Sequence, residues 1–266
     1  MKGNNLHMEL TLKLNLALNA EEEQERQLYN LVPTLNGMGY MYERYSPFVN
    51  EYLKAYIESL PHIKDPVLDI GVAYGVTVLD SLKMGAHVIA NEIYKPHLEL
   101  LVQNVPVELK NHLTLNLGRF PQETNFEENS LGAVLISRVL NFLTGDEIDI
   151  GLAKVFKWLK PGAKVYIIAE TVYKELFKKI IPIVHERIAQ NLEWPGELEH
   201  VRHYMSKRQE HLPDAIHFLD DKVLKRSLLK AGFRIEKCSL FSKNNIPQDA
   251  RFDGKETVGI IGIKPI

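Results

Sequence analysis

The sequence predicts an α/β domain built on a parallel sheet with helices on both of its faces. From Asp65 onward, short apolar runs alternate with longer stretches in which apolar residues recur at helical spacing. These runs are apolar throughout, as expected for strands that are buried on both sides. The first run, VLDIGVAYG at residues 67–75, ends in an acid and continues through two glycines. A strand, a glycine turn and a helix in this order are typical of doubly wound folds that bind a nucleotide.

Seven apolar runs are the predicted strands of this domain. They are, in chain order, PVLDIG, HVIANEI, LTLNLG, GAVLISR, KVYIIAE, FRIEKCSLF and TVGIIGIKPI. Helices are predicted between them, in VTVLDSLKMG, KPHLELLVQNV, GDEIDIGLAKVFKWLKPG and LDDKVLKRSLLKAGF. The third helix is expected to stop at Pro161-Gly162 and the fourth at Gly232, because proline and glycine commonly end helices.

An N-terminal extension, residues 1–46, precedes this pattern. In residues 8–18, apolar side chains alternate strictly with the residues between them, so that every second side chain falls on one apolar side. This alternation predicts a strand or an extended arm that packs on a second copy of the chain in a homodimer, and a helix is the alternative. Asn19 is expected to cap a helix in AEEEQERQLYNLV, and a tyrosine-rich connector, NGMGYMYERYSP, follows. A further helix is predicted in PFVNEYLKAYIESL, with Pro47 in its first turn.

An insertion of about residues 171–217 interrupts the pattern after the fifth strand. Its first part, TVYKELFKKIIPIVHERIAQNLEW, is predicted to be a long amphipathic helix that Pro182 kinks or splits. Its second part is polar and carries four histidines, which we interpret as solvated residues rather than metal ligands: His200, His203, His211 and His217. The chain is thus expected to form one domain, residues 47–266, with an N-terminal lid and a substrate cap.

The composition excludes several classes of protein. A net charge of −2 over 266 residues provides no overall basic field to gather nucleic acid or an anionic membrane. No apolar run reaches the length of about 18 residues that a spanning helix needs, and no secretory signal is expected, so the expectation is a cytoplasmic protein. The single cysteine, Cys238, rules out an internal disulfide and a cysteine-built zinc site, and it reads as a strand thiol.

The glycine turn also indicates the kind of nucleotide. A tight turn lets a ligand lie against bare main chain, and the following helix directs free N–H groups at it. Neither a dinucleotide fingerprint nor a phosphate loop is present in Gly71-Val72-Ala73-Tyr74-Gly75. Asp69 would repel a pyrophosphate at this position. The prediction is therefore a nucleoside without phosphates, and a cationic one fits best.

These residues resemble the first motif of class I S-adenosylmethionine-dependent methyltransferases. Ala73 replaces the middle glycine of that motif, a mild departure provided that its φ angle is negative. The second predicted strand ends in Glu92, 23 residues after Asp69, where the family places an acid that accepts hydrogen bonds from the ribose hydroxyls. The resemblance implies a seven-stranded, mostly parallel, Rossmann-like sheet and S-adenosyl-L-methionine as the cofactor.

Later strings extend the resemblance over residues 47–170 and, in outline, 217–263. LNLGRFPQ resembles the adenine-side motif, with Arg119 in place of its acid and able to stack on the ring. LGAVLISRVLNFL resembles the fourth motif, which implies that Ser137 and Arg138 flank the methionine part of the cofactor. The implied cofactor-binding residues are Asp69, Gly71, Ala73, Gly75, Glu92, Ile93, Gly118, Arg119, Ser137 and Arg138.

The resemblance implies methyl transfer to an oxygen or nitrogen of a small molecule. A protein or RNA methyltransferase and a non-catalytic binding module are the alternatives, and an oxidoreductase would need the missing third glycine. No catalytic residue is assigned, because alignment of the acceptor with the sulfonium methyl can supply much of the catalysis. Contacts with the acceptor are expected from the parts outside the resemblance, at Tyr42, Arg44, Tyr45, His203, Tyr204 and His211.

Overall fold

The computed structural model describes residues 14, 16–42, 50–242 and 246–266. The helices are α1 Ala20–Tyr29, α2 Glu51–Ser59, α3 Val76–Lys83, α4 Lys95–Asn104, α5 Gly145–Trp158, α6 Ile181–Ala189 and α7 Asp221–Ala231. The strands are β1 Leu31–Pro33, β2 Tyr40–Tyr42, β3 Val67–Ile70, β4 Val88–Glu92, β5 Leu113–Leu117, β6 Leu131–Ser137, β7 Leu159–Glu170, β8 Glu197–Leu198, β9 Ile216–His217, β10 Arg234–Phe241 and β11 Thr257–Ile263. The predicted arm over 8–18 lies largely, and Arg44 and Tyr45 lie wholly, outside the described residues. Helix α2 begins at Glu51 and is capped by Asn50, so the prediction that Pro47 lies in its first turn is wrong.

The central sheet has seven strands in the order β5-β4-β3-β6-β7-β11-β10. The first five strands of this order pair in parallel, and β11 pairs antiparallel with both β7 and β10. The prediction of a doubly wound, seven-stranded, mostly parallel sheet is confirmed. Successive residues of β3 face opposite sides: Val67 belongs to one apolar cluster, and Leu68 belongs to the other. The sheet is therefore buried on both faces, which explains why its strands are apolar throughout.

The N-terminal segment differs in part from its prediction. Asn19 caps α1 as expected, in a reciprocal capping box with Glu22. The helix ends at Tyr29 rather than continuing through Val32, because Asn30 takes a left-handed conformation, with φ of 53°. The chain then forms a hairpin of β1 and β2, so the predicted connector is partly a two-stranded sheet. Residues 31–42 are called the hairpin below.

The insertion is less helical than predicted. Pro182 lies in the first turn of α6, where its missing N–H costs no hydrogen bond, and only a short 3-10 turn, Glu175–Phe177, precedes it. The prediction of one long helix is therefore wrong in its extent. The insertion closes a third apolar cluster of its own, which includes Phe177, Ile180 and Phe218.

Helix α5 ends at Trp158, before the predicted Pro161-Gly162 stop, because Leu159 already enters β7. The other predicted helices and strands of the domain are confirmed, including the stop of α7 at Gly232. Among the described residues, no helix combines the length and the apolar character needed to cross a membrane.

Candidate active site

A cavity of about 490 Å³ lies at the carboxyl edge of the parallel strands. The ends of β3, β4, β6 and β7 form its floor, and the hairpin, the insertion and the segment between β10 and β11 form its roof. Nine of the ten predicted cofactor-binding residues line it: Asp69, Gly71, Ala73, Glu92, Ile93, Gly118, Arg119, Ser137 and Arg138. Gly75 does not, since it caps the start of α3 and packs against Leu101.

The glycine turn brings bare main chain to the cavity. Gly71 has a φ of +72°, and a Cβ atom there would lie 2.3 Å from Cγ2 of Val139, so no other residue fits without displacement. Ala73 has a φ of +45°. The expectation that alanine would be tolerated there at a negative φ is therefore wrong: the turn holds three residues in the left-handed region, and Ala73 bears the steric cost that glycine would avoid.

Glu92 is the buried carboxylate of the cavity, with a side chain that is only about 4% exposed. Its Oε2 accepts a hydrogen bond from the Ala73 N–H at 2.8 Å, and its Oε1 accepts from the N–H groups of Ile93 and Tyr94 at 3.0 Å each. Burial opposes ionisation, but the adjacent His97 imidazole and the main-chain donors outweigh it, so the pKa of Glu92 is lowered. A carboxylate has about four acceptor positions, so one at Oε2 is left for a ligand.

Asp69 lies at the end of β3 and is nearly fully buried. Burial, followed by the negative charge of Glu92, raises the pKa of Asp69 to about 8. The protonated form of this carboxyl group is therefore favoured in the ligand-free protein. A cation placed beside it would favour the ionised form.

A charged cluster closes the floor where β6 and β7 end. The Arg138 guanidinium pairs with Glu170, and Nζ of Lys174 lies 2.6 Å from the second oxygen of the same carboxylate. Arg138 has a φ of +60°, a strained conformation that occurs most often at functional sites. Its Nη1 also donates to Oγ of Ser137 at 3.3 Å.

The opposite end of the floor is suited to an aromatic ring. Ile93 is 56% exposed and lines the cavity just after Glu92, although it is a large apolar residue. Gly118 lies nearby, and its N–H donates to the carbonyl of Glu92. Nη2 of Arg119 pairs with Oε1 of Glu147 on α5 at 2.9 Å, so this side chain is committed to a salt bridge at the cavity rim.

Arg208 fastens the roof. Its guanidinium pairs with Glu25 on α1 and with Asp249, at 2.9 Å and 2.7 Å for the Nη1 and Nε contacts. It also lies 4.7 Å from the ring centre of Tyr40, and both residues line the cavity. Burial raises the pKa of the Tyr40 hydroxyl to about 12, against the opposing effect of Arg208.

The residues predicted to contact the acceptor are distributed differently. Tyr42 lines the cavity, whereas Arg44 and Tyr45 lie outside the described residues. His203, Tyr204 and His211 do not line it; His211 pairs with Glu22 and packs edge-on against Tyr40. Their roles remain predictions.

The interpretation of the four histidines as solvated is wrong for His217. It is 2% exposed, its Nδ1 contacts the Leu143 carbonyl, and its ring packs against Trp194. Within the ranges that the structure describes, no three His, Cys, Asp or Glu side chains are grouped so as to hold a metal ion.

Several titratable lining residues were not assigned from the sequence, among them His97, Glu170, Lys174 and Arg208. Glu170 ends a predicted strand, His97 lies in the first turn after Glu92, and Lys174 lies four residues after Glu170, so these three carried a positional signal. The sequence carried no such signal for Arg208, whose partners are set by the folding of the insertion.

Comparison with known proteins finds a similarity to one family over part of the chain. Residues 68–167 match a family described as Methyltransferase domain. None of the curated proteins compared with the chain matches it. Over these residues, which include the glycine turn and Glu92, the chain is similar to S-adenosylmethionine-dependent methyltransferases.

Several solved structures share the fold. A SAM-dependent methyltransferase from Methanosarcina mazei has 18% identity and a TM-score of 0.57, covering 76% of this chain and 93% of that one. One from Mesorhizobium loti has 14% identity and a TM-score of 0.56, covering 79% and 95%. The glycopeptide N-methyltransferase MtfA, in complex with S-adenosylmethionine, has 16% identity and a TM-score of 0.52, covering 84% and 90%.

Proposed function

We propose that this methyltransferase holds S-adenosylmethionine along the floor of the cavity and methylates an oxygen or nitrogen of a small molecule held beneath the roof. The observation that carries the proposal is Glu92, a buried carboxylate that faces the cavity with an acceptor position left at Oε2. A ribose hydroxyl can donate to the carboxylate at this position. The bare main chain at Gly71 leaves room for the methionine part, and Ile93 offers an apolar surface to the adenine.

Charge at the remaining positions suits the same ligand. The sulfonium and the ammonium of the cofactor are cations, and Asp69, with its raised pKa, is a carboxyl group that a cation would ionise. Ser137 and Arg138 lie at the end of β6, beside the glycine turn on β3. When bound, the cofactor supplies an electrophilic methyl group; the chain's residues orient it, exclude water and align the acceptor.

The cavity favours a small acceptor over a nucleic acid. Each cation that lines the described cavity is already paired with a carboxylate: Arg119 with Glu147, Arg138 and Lys174 with Glu170, and Arg208 with Glu25 and Asp249. A phosphate backbone would need unpaired cations along its path. The roof instead presents apolar side chains, among them Phe177, Leu212 and Phe218, and the cavity size lies in the range of about 300–1,000 Å³ that small ligands occupy.

The test is calorimetry with S-adenosylmethionine and two Glu92 variants. Glu92→Ala should weaken binding by about 1.5–3 kcal/mol, because a charge-assisted hydrogen bond to the ribose is lost. Glu92→Gln, which keeps the shape of the side chain, should weaken it by less. Glu99→Ala is the matched control, since Glu99 is an exposed acid on α4 that pairs with Lys95. Unchanged affinity in a folded Glu92→Ala protein would overturn the ribose assignment.

A screen for the acceptor follows from the same proposal. Radiolabelled S-adenosylmethionine is incubated with the protein and with separate pools of metabolites, total RNA and total protein. Methyl transfer into the metabolite pool alone supports the proposed acceptor class. Transfer into RNA or protein would replace it with one of the macromolecular alternatives.

A further inference from the structure

His97 is a buried histidine whose place beside the cavity is not explained by cofactor contacts alone. It lies in the first turn of α4, is 1% exposed, and lines the cavity next to Glu92. The rings of Tyr74 and Tyr94 pack edge-on against it, with centroids at 5.1 Å and 5.0 Å. The orientation of the imidazole is therefore fixed by packing on two sides.

The two ring nitrogens of His97 face different parts of the protein. Nε2 accepts a hydrogen bond from the main-chain N–H of Leu35 at 3.2 Å, so the ring proton resides on Nδ1. Nδ1 lies 3.5 Å from Oε1 of Glu92, just too far for a good hydrogen bond, and it has no other partner among the described residues. A buried N–H without a partner is costly, and a small movement toward Glu92 would satisfy it.

Leu35 belongs to the hairpin, which forms part of the roof. The hairpin is attached to the glycine turn by Tyr74, whose hydroxyl donates to the Pro33 carbonyl at 2.8 Å and whose N–H contacts Sδ of Met41 at 3.4 Å. His97 supplies a second attachment, at the turn between β1 and β2. One imidazole thus connects the main chain of the roof to the carboxylate on the floor.

We propose that His97 is a positioning residue that couples binding at Glu92 to the seating of the hairpin over the cofactor. The proposal rests on the proposed function, in which Glu92 accepts a hydrogen bond from a ribose hydroxyl. As Glu92 takes up its ligand-bound position, the Nδ1–H closes on Oε1 and shares that oxygen with the main-chain N–H groups of Ile93 and Tyr94. Nε2 meanwhile holds the Leu35 N–H and with it the roof. Hydrogen bonds change in this step, and no proton or covalent bond is transferred. By linkage, a seated hairpin strengthens cofactor binding by the same factor.

Two substitutions separate the two contacts. The amide nitrogen of asparagine can replace Nδ1 but reaches no further, so His97→Asn keeps the donor to Glu92 and loses the acceptor for Leu35. The amide oxygen of glutamine can replace Nε2, so His97→Gln keeps the acceptor and loses the donor. The exposed His62 provides matched controls, His62→Asn and His62→Gln. Thermal unfolding verifies that each variant is folded.

The measurements are the affinity for S-adenosylmethionine and the exchange rate of the Leu35 amide with and without it. In the unsubstituted protein the cofactor should slow this exchange. In His97→Asn, exchange should be faster than in the unsubstituted protein in both states. In His97→Gln, it should keep the rate of the ligand-free unsubstituted protein in both states. Each variant should bind the cofactor about 5–150-fold more weakly, the range typical of coupled sites, and adding Glu92→Gln should weaken binding by less than the sum of the separate losses.

The outcomes separate this inference from the function on which it rests. If the unsubstituted protein does not bind S-adenosylmethionine, or Glu92→Ala leaves its affinity unchanged, the floor assignment fails. If Glu92 behaves as expected but the cofactor does not slow Leu35 exchange in the unsubstituted protein, the coupling is overturned. The same conclusion follows if both His97 variants bind the cofactor as the unsubstituted protein does.

Discussion

The floor and the roof of the cavity are held together by different forces. On the floor, main-chain N–H groups of Ala73, Ile93 and Tyr94 converge on Glu92 from positions within about twenty residues. In the roof, Arg208 reaches Glu25, 183 positions away in the chain, and His211 reaches Glu22, 189 positions away. Ion pairs between partly exposed side chains weaken in salt, whereas buried main-chain hydrogen bonds do not. The affinity for the cofactor should therefore depend little on salt concentration, whereas the affinity for the acceptor should fall as salt is added.

The largest expected effect comes from a substitution in the glycine turn on the floor of the cavity. Gly71→Ala adds a Cβ that would lie 2.3 Å from Val139 in a left-handed turn, so we expect a loss of unfolding free energy of about 2–5 kcal/mol, from backbone strain and overpacking together. Cofactor binding should fall below detection. Gly85→Ala is the control, because Gly85 has a φ of +84° but no atom within 4 Å of the added Cβ. Chemical denaturation and calorimetry should separate the two; equal losses would mean that backbone strain alone accounts for the effect.

The second effect opens the roof and leaves the floor intact. Arg208→Gln leaves Glu25 and Asp249 without their guanidinium, and we expect KM for the acceptor to rise by about 10-fold or more, equivalent to about 1.4 kcal/mol. The affinity for S-adenosylmethionine should fall by less, because the hydrogen bonds of His97 and Tyr74 to the hairpin are retained. Lys207→Gln, which removes only an exposed pair with Glu21, is the control and should behave as the unsubstituted protein. A cofactor affinity that falls as steeply as the acceptor affinity would contradict the division between floor and roof.

The difference between floor and roof also explains which site residues could be predicted from the sequence. Asp69, Gly71 and Glu92 follow from a short string and a spacing, because the parallel strands that carry them end at one edge. Arg208 could not be found in this way, since its contacts with Glu25 and Asp249 depend on how the insertion folds back over the sheet. His217 was misread because a histidine in a polar string is usually exposed, and only the packing of Trp194 buries it. Ala73 was misread because the sequence does not reveal the sign of its φ angle.

A third effect tests the charge on the floor. Because the pKa of Asp69 is raised to about 8, the carboxyl group must lose its proton when a cation binds beside it, so affinity for S-adenosylmethionine should fall by up to about tenfold for each pH unit below 8. Calorimetry in buffers of different ionisation enthalpy should detect the released proton at pH 7. Asp69→Asn should abolish both the proton release and the pH dependence.

The stability of the ligand-free protein provides the control for Asp69. The folded state keeps this proton up to about pH 8, whereas the unfolded chain releases it near pH 4, so the contribution of Asp69 to stability is lost as the pH rises between these values. Asp69→Asn should therefore raise the unfolding temperature most at pH 8 and above. An unfolding temperature that rises equally at pH 4 and pH 8 would show that Asp69 is already ionised in the folded protein.

The smallest expected effect concerns Ala73, a single main-chain position on the floor of the cavity. Ala73→Gly removes the steric cost of a left-handed alanine, which stabilises the folded state by about 1–2 kcal/mol. Glycine also increases the conformational entropy of the unfolded chain, which lowers the stability by about 0.4–1 kcal/mol. The net gain in unfolding free energy should be no more than about 1.6 kcal/mol. Cofactor affinity should stay within about twofold, because the N–H that donates to Glu92 is retained. Asn30→Gly, at a φ of 53° outside the cavity, should gain less, since asparagine tolerates this conformation. A clear loss of cofactor affinity in Ala73→Gly would mean that the methyl group itself, and not only the main chain, contacts the ligand.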